Sequence, residues 1–357
     1  MITSLFQKPV ARPGGGSPFK PPAATGPKDD FQPADPALAF KPPVAPALEP
    51  TVAPKSLAVT STSTAALAAL GAPNVALYQA IQSLVCDTPR GVQQLQQLLE
   101  QGKLSSGTLQ NLHSLTQKPR AQGLDGQLLT RETVAILSGP DQNIWQAERF
   151  TCGATNLERQ WADHPESFTA IVAGLSSPEG KTQLLSGFTL QRAEGSLADD
   201  GSGRTHTDRL LQSSIMASAG AGRGQYDVST DRFSNDQGGG LKVAEIAGIT
   251  ALAQNQPQVV ITYDSKSARA TQELISQLEP GESFQTAMTN WEGRDHMLLF
   301  QGTQDGSARY YDPADHAQHT VPLRDFLWKT QYLVLPQAMA SRVHFQPESV
   351  HSQAQPK

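Results

Sequence analysis

The sequence predicts an α+β fold, on three observations. Helix-forming segments fill roughly residues 59–140, an isolated cysteine at position 152 opens another helical pattern, and strand-like apolar runs gather over 259–263, 284–291, 297–300 and 308–312. A helical half carrying the thiol would then face a strand-rich half. Four regions follow: a proline-rich arm over 1–58, a helical lead-in subdomain over 59–140, an α+β core over 141–340 and a flexible tail over 341–357.

Bulk properties exclude several classes. With 357 residues, 38% of them hydrophobic, and a formal charge of −5, the chain has enough material for one or two domains. No basic patch with interleaved aromatics is present, so nucleic acid is not an expected partner. Two distant cysteines do not make a disulfide framework. No run of about twenty apolar residues suggests a membrane span, and Met1 to Pro9 lacks a signal peptide's hydrophobic region. A cytoplasmic location, or secretion by a route independent of a signal peptide, is therefore expected.

Residues 1–58 hold half of the 26 prolines and show neither helical nor strand period, which predicts disorder or polyproline II. Phe19-Lys20-Pro21-Pro22 is echoed by Phe40-Lys41-Pro42-Pro43, with Phe6-Gln7-Lys8-Pro9 as a weaker relative. An aromatic before a proline pair is either a docking motif, for a chaperone or secretion machinery, or part of a plain spacer. From Thr64 to Leu137, five segments place apolar residues at three- and four-residue spacing, broken by Gly, Pro or Ser. They read as a small bundle that packs on the core, or as a propeptide-like or substrate-recruiting subdomain.

Ser167 to Leu175 and Thr207 to Ala219 also read as helices, whereas Leu184 to Gln191 fits a strand or a helix end. Glu194 to Arg204 and Gly220 to Gly240 are rich in glycine. Neither leads from a strand into a helix with a Lys-Ser/Thr ending, so mobile walls of a cleft fit better than a phosphate cradle. Leu241 to Ala253 and Ala268 to Leu278 are expected helices, Val259 to Tyr263 and Phe284 to Trp291 strands. Past Ala340 a loose tail is expected.

The candidate chemistry centres on Cys152. Ala154, Leu157 and Trp161 recur at helical spacing after it, placing the thiol at a helix N-terminus, where unpaired N–H groups and the helix dipole favour a thiolate. A base is available downstream. His296 opens the apolar run Met297 to Phe300, Gln301 to Ser307 reads as a turn, and Ala308 to Asp312 is a second strand stopped by Pro313. In that hairpin His296 and Asp312 come together, so the carboxylate can orient the imidazole and stabilise its charged form. Cys86 sits at the apolar end of a helical pattern without such partners and reads as structural. His316 and His319 with Asp312 and Asp315 contain metal-ligand types but no second cluster, so a solvated loop is expected and no metal or cofactor is called for. His113, His164, His206, His344 and His351 lack a partner pattern.

Gln146, Cys152-Gly153-Ala154-Thr155, His296 and Tyr311-Asp312-Pro313 together resemble the papain-like cysteine peptidase superfamily, over roughly residues 141–335. The resemblance implies a papain-like core, with Cys152 as nucleophile, His296 as general base and acid, and Asp312 as orienter. It further implies that Gln146 donates to the oxyanion hole beside the Cys152 N–H. Papain has a tryptophan soon after its nucleophile, where Ala154-Thr155 stand here, and an asparagine in place of Asp312. Both departures are closer to the bacterial peptidase, transglutaminase-like and effector branches. The expected activity is hydrolysis of peptide or isopeptide bonds in a protein or peptide substrate, in the manner of a secreted effector or toxin. Deamidation or transglutamination of glutamine would use the same triad. A binding or delivery protein that has lost activity would instead bury Cys152 or hold it away from His296.

Overall fold

The computed structural model describes residues 61–354 apart from Gln237, Glu292 and Gly293; the arm expected over 1–58 lies outside them. Five helices come first: α1 (Ser61–Ala69), α2 (Ala72–Val85), α3 (Pro89–Glu100), α4 (Ser106–Gln117) and α5 (Gly126–Ser138). Their starts follow from local chemistry. Thr88 accepts from the Gly91 N–H at 3.1 Å, Ser105 from that of Thr108 at 3.1 Å, and Asp125 from that of Gln127 at 2.8 Å, each satisfying an N–H that a helix start leaves open.

A short helix, α6 (Pro140–Asn143), precedes α7 (Cys152–Ala162), α8 (Pro165–Ser176), the hairpin of β1 (Lys181–Gln183) and β2 (Thr189–Gln191), and α9 (His206–Ala219). Leu95, Leu98, Leu109 and Leu112 of the lead-in share one hydrophobic core with Leu157 and Trp161 of α7, Phe168 of α8 and Leu210 of α9. The lead-in helices thus pack on α8 and α9, which in turn support α7. The stretch over 184–191, with its open choice between strand and helix end, resolves into the β1–β2 turn and β2.

A small hairpin, β3 (Tyr226–Asp227) with β4 (Arg232–Phe233), leads to α10 (Val243–Gln254), β5 (Gln258–Thr262), α11 (Ala268–Ser276), β6 (Phe284–Trp291), β7 (Arg294–Gln304), β8 (Ser307–Asp312) and β9 (Ala317–Pro322). Then come α12 (Leu323–Lys329), β10 (Thr330–Pro336), α13 (Gln337–Ala340) and β11 (Val350–Ala354). The seven long-range strands form one sheet in the order β11-β5-β10-β6-β7-β8-β9, antiparallel throughout. The fold is therefore mixed, with α and antiparallel β parts. Alternation along the strands sends Val259, Ile261, Leu333 and Leu335 to one face, under Phe326 of α12 and Leu274 of α11. Val260, Val334, Ala287 and Met297 go to the other, against Ile246 and Ala247 of α10, where Cys152 also packs.

Three elements differ from the sequence-based expectation. The strand of His296 begins at Arg294 and runs to Gln304, so the turn is only Asp305-Gly306, both at positive φ (50° and 76°), a tight hairpin turn that glycine's missing Cβ makes cheap. Residues 317–322, expected in a solvated loop with His319, form β9, with His319 opposite Tyr310. Residues 350–354, expected in a loose tail, pair with β5 as the sheet's edge. Polar edge strands carry little apolar signal, because backbone pairing and not side-chain burial holds them.

Candidate active site

Cys152 is the first residue of α7 and is half-buried. Gly153 allows this placement: a Cβ there would stand 2.5 Å from Ile246 Cδ1, so the N-terminus of α7 lies directly on α10. Thr151 precedes the helix, but its φ and ψ of −99° and 14° are not those of an extended cap, and its hydroxyl makes no capping bond. The first-turn N–H groups at Cys152 therefore have no side-chain cap.

The sheet supplies the partner groups. His296 is buried on β7, and its Nε2 donates to Oδ1 of Asp312, at the end of β8, at 2.8 Å. The same oxygen accepts the Ala314 N–H at 2.8 Å, which fixes the carboxylate against the turn after β8. The other ring nitrogen, Nδ1, is left for Cys152, with which His296 also interacts. Burial alone would push the imidazole pKa down. The hydrogen bonds to Asp312 and Cys152, and the charges of both, outweigh it and raise the value to about 9.

Gln146 stands on the loop over residues 144–151 that leads from α6 into α7. This loop is stitched to the turn after β8: the Gln146 N–H donates to Pro313 O at 3.0 Å and Trp145 Nε1 to Ala314 O at 2.9 Å. The buried side chain of Gln146 donates through Nε2 to Arg149 O at 3.0 Å. An amide nitrogen has a second N–H to give. Ala147, next in the chain, is left-handed with φ 55°, a conformation that costs an L-residue roughly 1–2 kcal/mol and is tolerated only where the surroundings enforce it. The four residues singled out from the sequence thus lie in one region: Cys152, His296 and Asp312 in a chain of contacts, Gln146 on the adjoining loop.

Several residues that hold this loop carry no sequence signal. Buried Asp231, itself at φ 58°, accepts from the Phe150 N–H and the Tyr226 hydroxyl; burial pushes its carboxyl up, against the pull of both bonds. Arg149 donates to Asp200 O at 2.6 Å. Asp200 is held down at about 2: burial raises it, but hydrogen bonds from Ser202 and Arg204 more than offset that. The glycine-rich stretches 194–204 and 220–240 are thus tied to the loop by polar contacts. Gly239 lies against the ring of Phe150, which is 49% exposed two residues before Cys152.

Elsewhere the residues do less. Cys86 is exposed at the end of α2, its thiol on Ser83 O. His206, for which no partner pattern was found, binds Glu132 through Nδ1 at 3.1 Å. Asp315 pairs with His319 at the surface, and among the described residues no group of three or more His, Cys, Asp or Glu is placed to hold a metal. Among the same residues no helix is long and apolar enough to cross a membrane. No family model, curated protein or solved structure matches the chain.

Proposed function

We propose that this protein is a papain-like thiol hydrolase that cleaves peptide or isopeptide bonds. One observation carries the reading: a buried histidine bridges a carboxylate, at 2.8 Å, and a half-buried cysteine that begins a helix. In the proposed reaction Cys152 Sγ attacks the substrate carbonyl carbon, and the electron pair moves to oxygen. The Cys152 N–H and the second N–H of Gln146 receive that oxyanion. As it collapses, His296 gives its proton to the departing amine and a thioester remains. Water, deprotonated by His296, then releases the acid. Asp312 keeps Nε2 as a donor, so that Nδ1 serves the sulfur and the leaving group. A purely binding role is less well supported, because it gives no reason for Cys152 to reach His296.

Alkylation of Cys152 by iodoacetamide across pH, in a Cys86→Ala background, tests this. Fast reaction near pH 6 that disappears in His296→Ala is expected, followed by turnover in a screen of peptide and isopeptide substrates. Slow alkylation with the same profile in both proteins would overturn the assignment.

A further inference from the structure

We infer that Gln212 is a positioning residue for acyl transfer at Cys152, an inference that rests on the reading of Cys152 as an acyl-transfer nucleophile. Gln212 lies in the middle of α9 and is fully buried. A buried amide in a helix interior is costly unless its bonds are made, and a leucine or methionine would fill the same space. Here every bond is made. Oε1 accepts from the Thr151 hydroxyl at 3.0 Å and from Arg204 Nη1 at 2.8 Å; Nε2 donates to Trp145 O at 3.1 Å and to Glu158 Oε2 at 2.8 Å. Two acceptor sites and two N–H groups are all a glutamine has.

The partners say what this amide does. Trp145 and Thr151 bracket the loop that carries Gln146 and the left-handed Ala147, and Glu158 sits two turns into α7. Arg204 continues the network: it binds Asp200 at 2.6 Å, whose backbone carbonyl accepts from Arg149. One side chain therefore fixes both ends of the loop relative to the helix that presents the thiol. It also engages the Thr151 hydroxyl. A threonine at that position ordinarily turns its hydroxyl onto the first-turn N–H groups of the helix that follows. With its backbone outside the cap conformation and its hydroxyl held by Gln212, it leaves them open where a carbonyl oxygen bonded to Cys152 gains charge. Gln212 acts through the loop and Thr151 and does not touch the reacting atoms.

Two probes separate this role from simple support of the fold. p-Nitrophenyl acetate acetylates a thiolate: the C–S bond forms through an oxyanion, p-nitrophenolate leaves, and water later frees acetate. Iodoacetamide alkylates the same sulfur with loss of iodide and develops no oxyanion. In the Cys86→Ala background, Gln212→Met is expected to slow acetylation of Cys152 about 10- to 100-fold and to leave alkylation within about threefold. Thr151→Val, which removes one bond of the network and little volume, is expected to show the same split more weakly, and decides the matter if Gln212→Met fails to fold. Equal losses in both reactions, or no loss in either, would overturn the inference. If the unsubstituted protein shows no His296-dependent alkylation, the functional reading itself has failed and this inference falls with it.

Discussion

The two sides of the candidate site are built on different principles. His296 and Asp312 stand on adjacent antiparallel strands, so sheet pairing brings them together and one 2.8 Å bond completes the arrangement. The loop before Cys152 has no regular structure. It is positioned by side chains from afar: Gln212 on α9, Asp231 after β3, Asp200 before α9, and carbonyls of the turn after β8. A strand pair tolerates the loss of a side chain because its backbone bonds remain, whereas a loop held by buried polar groups leaves unpaired atoms when one is removed, at about 1–3 kcal/mol each. On the sheet side, a substitution that keeps the hydrogen-bond acceptor should alter chemistry and leave stability nearly intact. On the loop side the two should move together.

The largest expected effect lies on the sheet side. Asp312→Ala should lower the rate of acyl transfer by about 10²- to 10⁴-fold, because the histidine loses its orienter, and should lower the thermal midpoint by a few degrees, because the buried His296 Nε2–H and the Ala314 N–H lose their acceptor. Asp312→Asn keeps an oxygen for His296 Nε2 and for the Ala314 N–H, so it should spare the thermal midpoint, with a loss of rate no larger than that of Asp312→Ala. It also removes the negative charge that helps hold His296 up, so the alkaline fall in activity should move down from about pH 9. A pH–rate profile for both variants measures this; an unmoved alkaline limb in Asp312→Asn would break the link between the pair and the reaction. His296 also enters stability. Its raised pKa means that the stabilisation is fully present below about 6.5, the ordinary value, and is lost as pH rises through about 9.

On the loop side Asp231→Ala leaves the Phe150 N–H and the Tyr226 hydroxyl without their acceptor. Acyl transfer should fall roughly tenfold and the thermal midpoint by several degrees, since this buried carboxylate serves both the loop and the β3–β4 hairpin. Differential scanning fluorimetry alongside the acetylation assay tests the coupling. Full activity in a clearly destabilised protein would show that the loop does not need this anchor.

This contrast also explains what was legible in the sequence. The start of α7, the extent of β6 and the closeness of His296 to Asp312 follow from short-range pattern, because the period of apolar residues and the stop at Pro313 are local facts. Gln301-Gly302-Thr303-Gln304 read as a turn because nothing apolar marks it, yet it belongs to β7, with a bulge in its pairing between Phe300 and Thr303. Gln212 could not be found. In Leu210-Leu211-Gln212-Ser213-Ser214 it looks like one polar residue on an amphipathic helix, and only the fold shows that this face of α9 is buried against α7. Asp231 and Asp200 were hidden for a related reason: both sit in stretches whose glycine and serine content suggested mobile loops, and their partners lie 81 and 51 residues away.

The smallest effect concerns the far end of the same network, where Glu158 of α7 faces Asp208 of α9 and both are fully buried. Burial raises Asp208 to about 7, against hydrogen bonds from Thr205 that pull it down, and raises Glu158 well above the usual carboxylate range. A carboxyl whose folded pKa exceeds its unfolded value binds protons more tightly in the native state. Stability therefore falls as pH rises from about 4, the ordinary aspartate value, through about 7. Asp208→Asn cannot ionise, and its oxygen still accepts the Thr205 N–H that closes the start of α9. The unsubstituted protein should lose a few degrees of thermal midpoint between pH 5 and 6.5, below the range where the His296 contribution changes, and Asp208→Asn should lose less. Parallel pH dependences in the two proteins would mean that the pair is not strained by charge. The network under α7 would then be held by its hydrogen bonds alone, and Gln212 would be the part of it that matters for the loop.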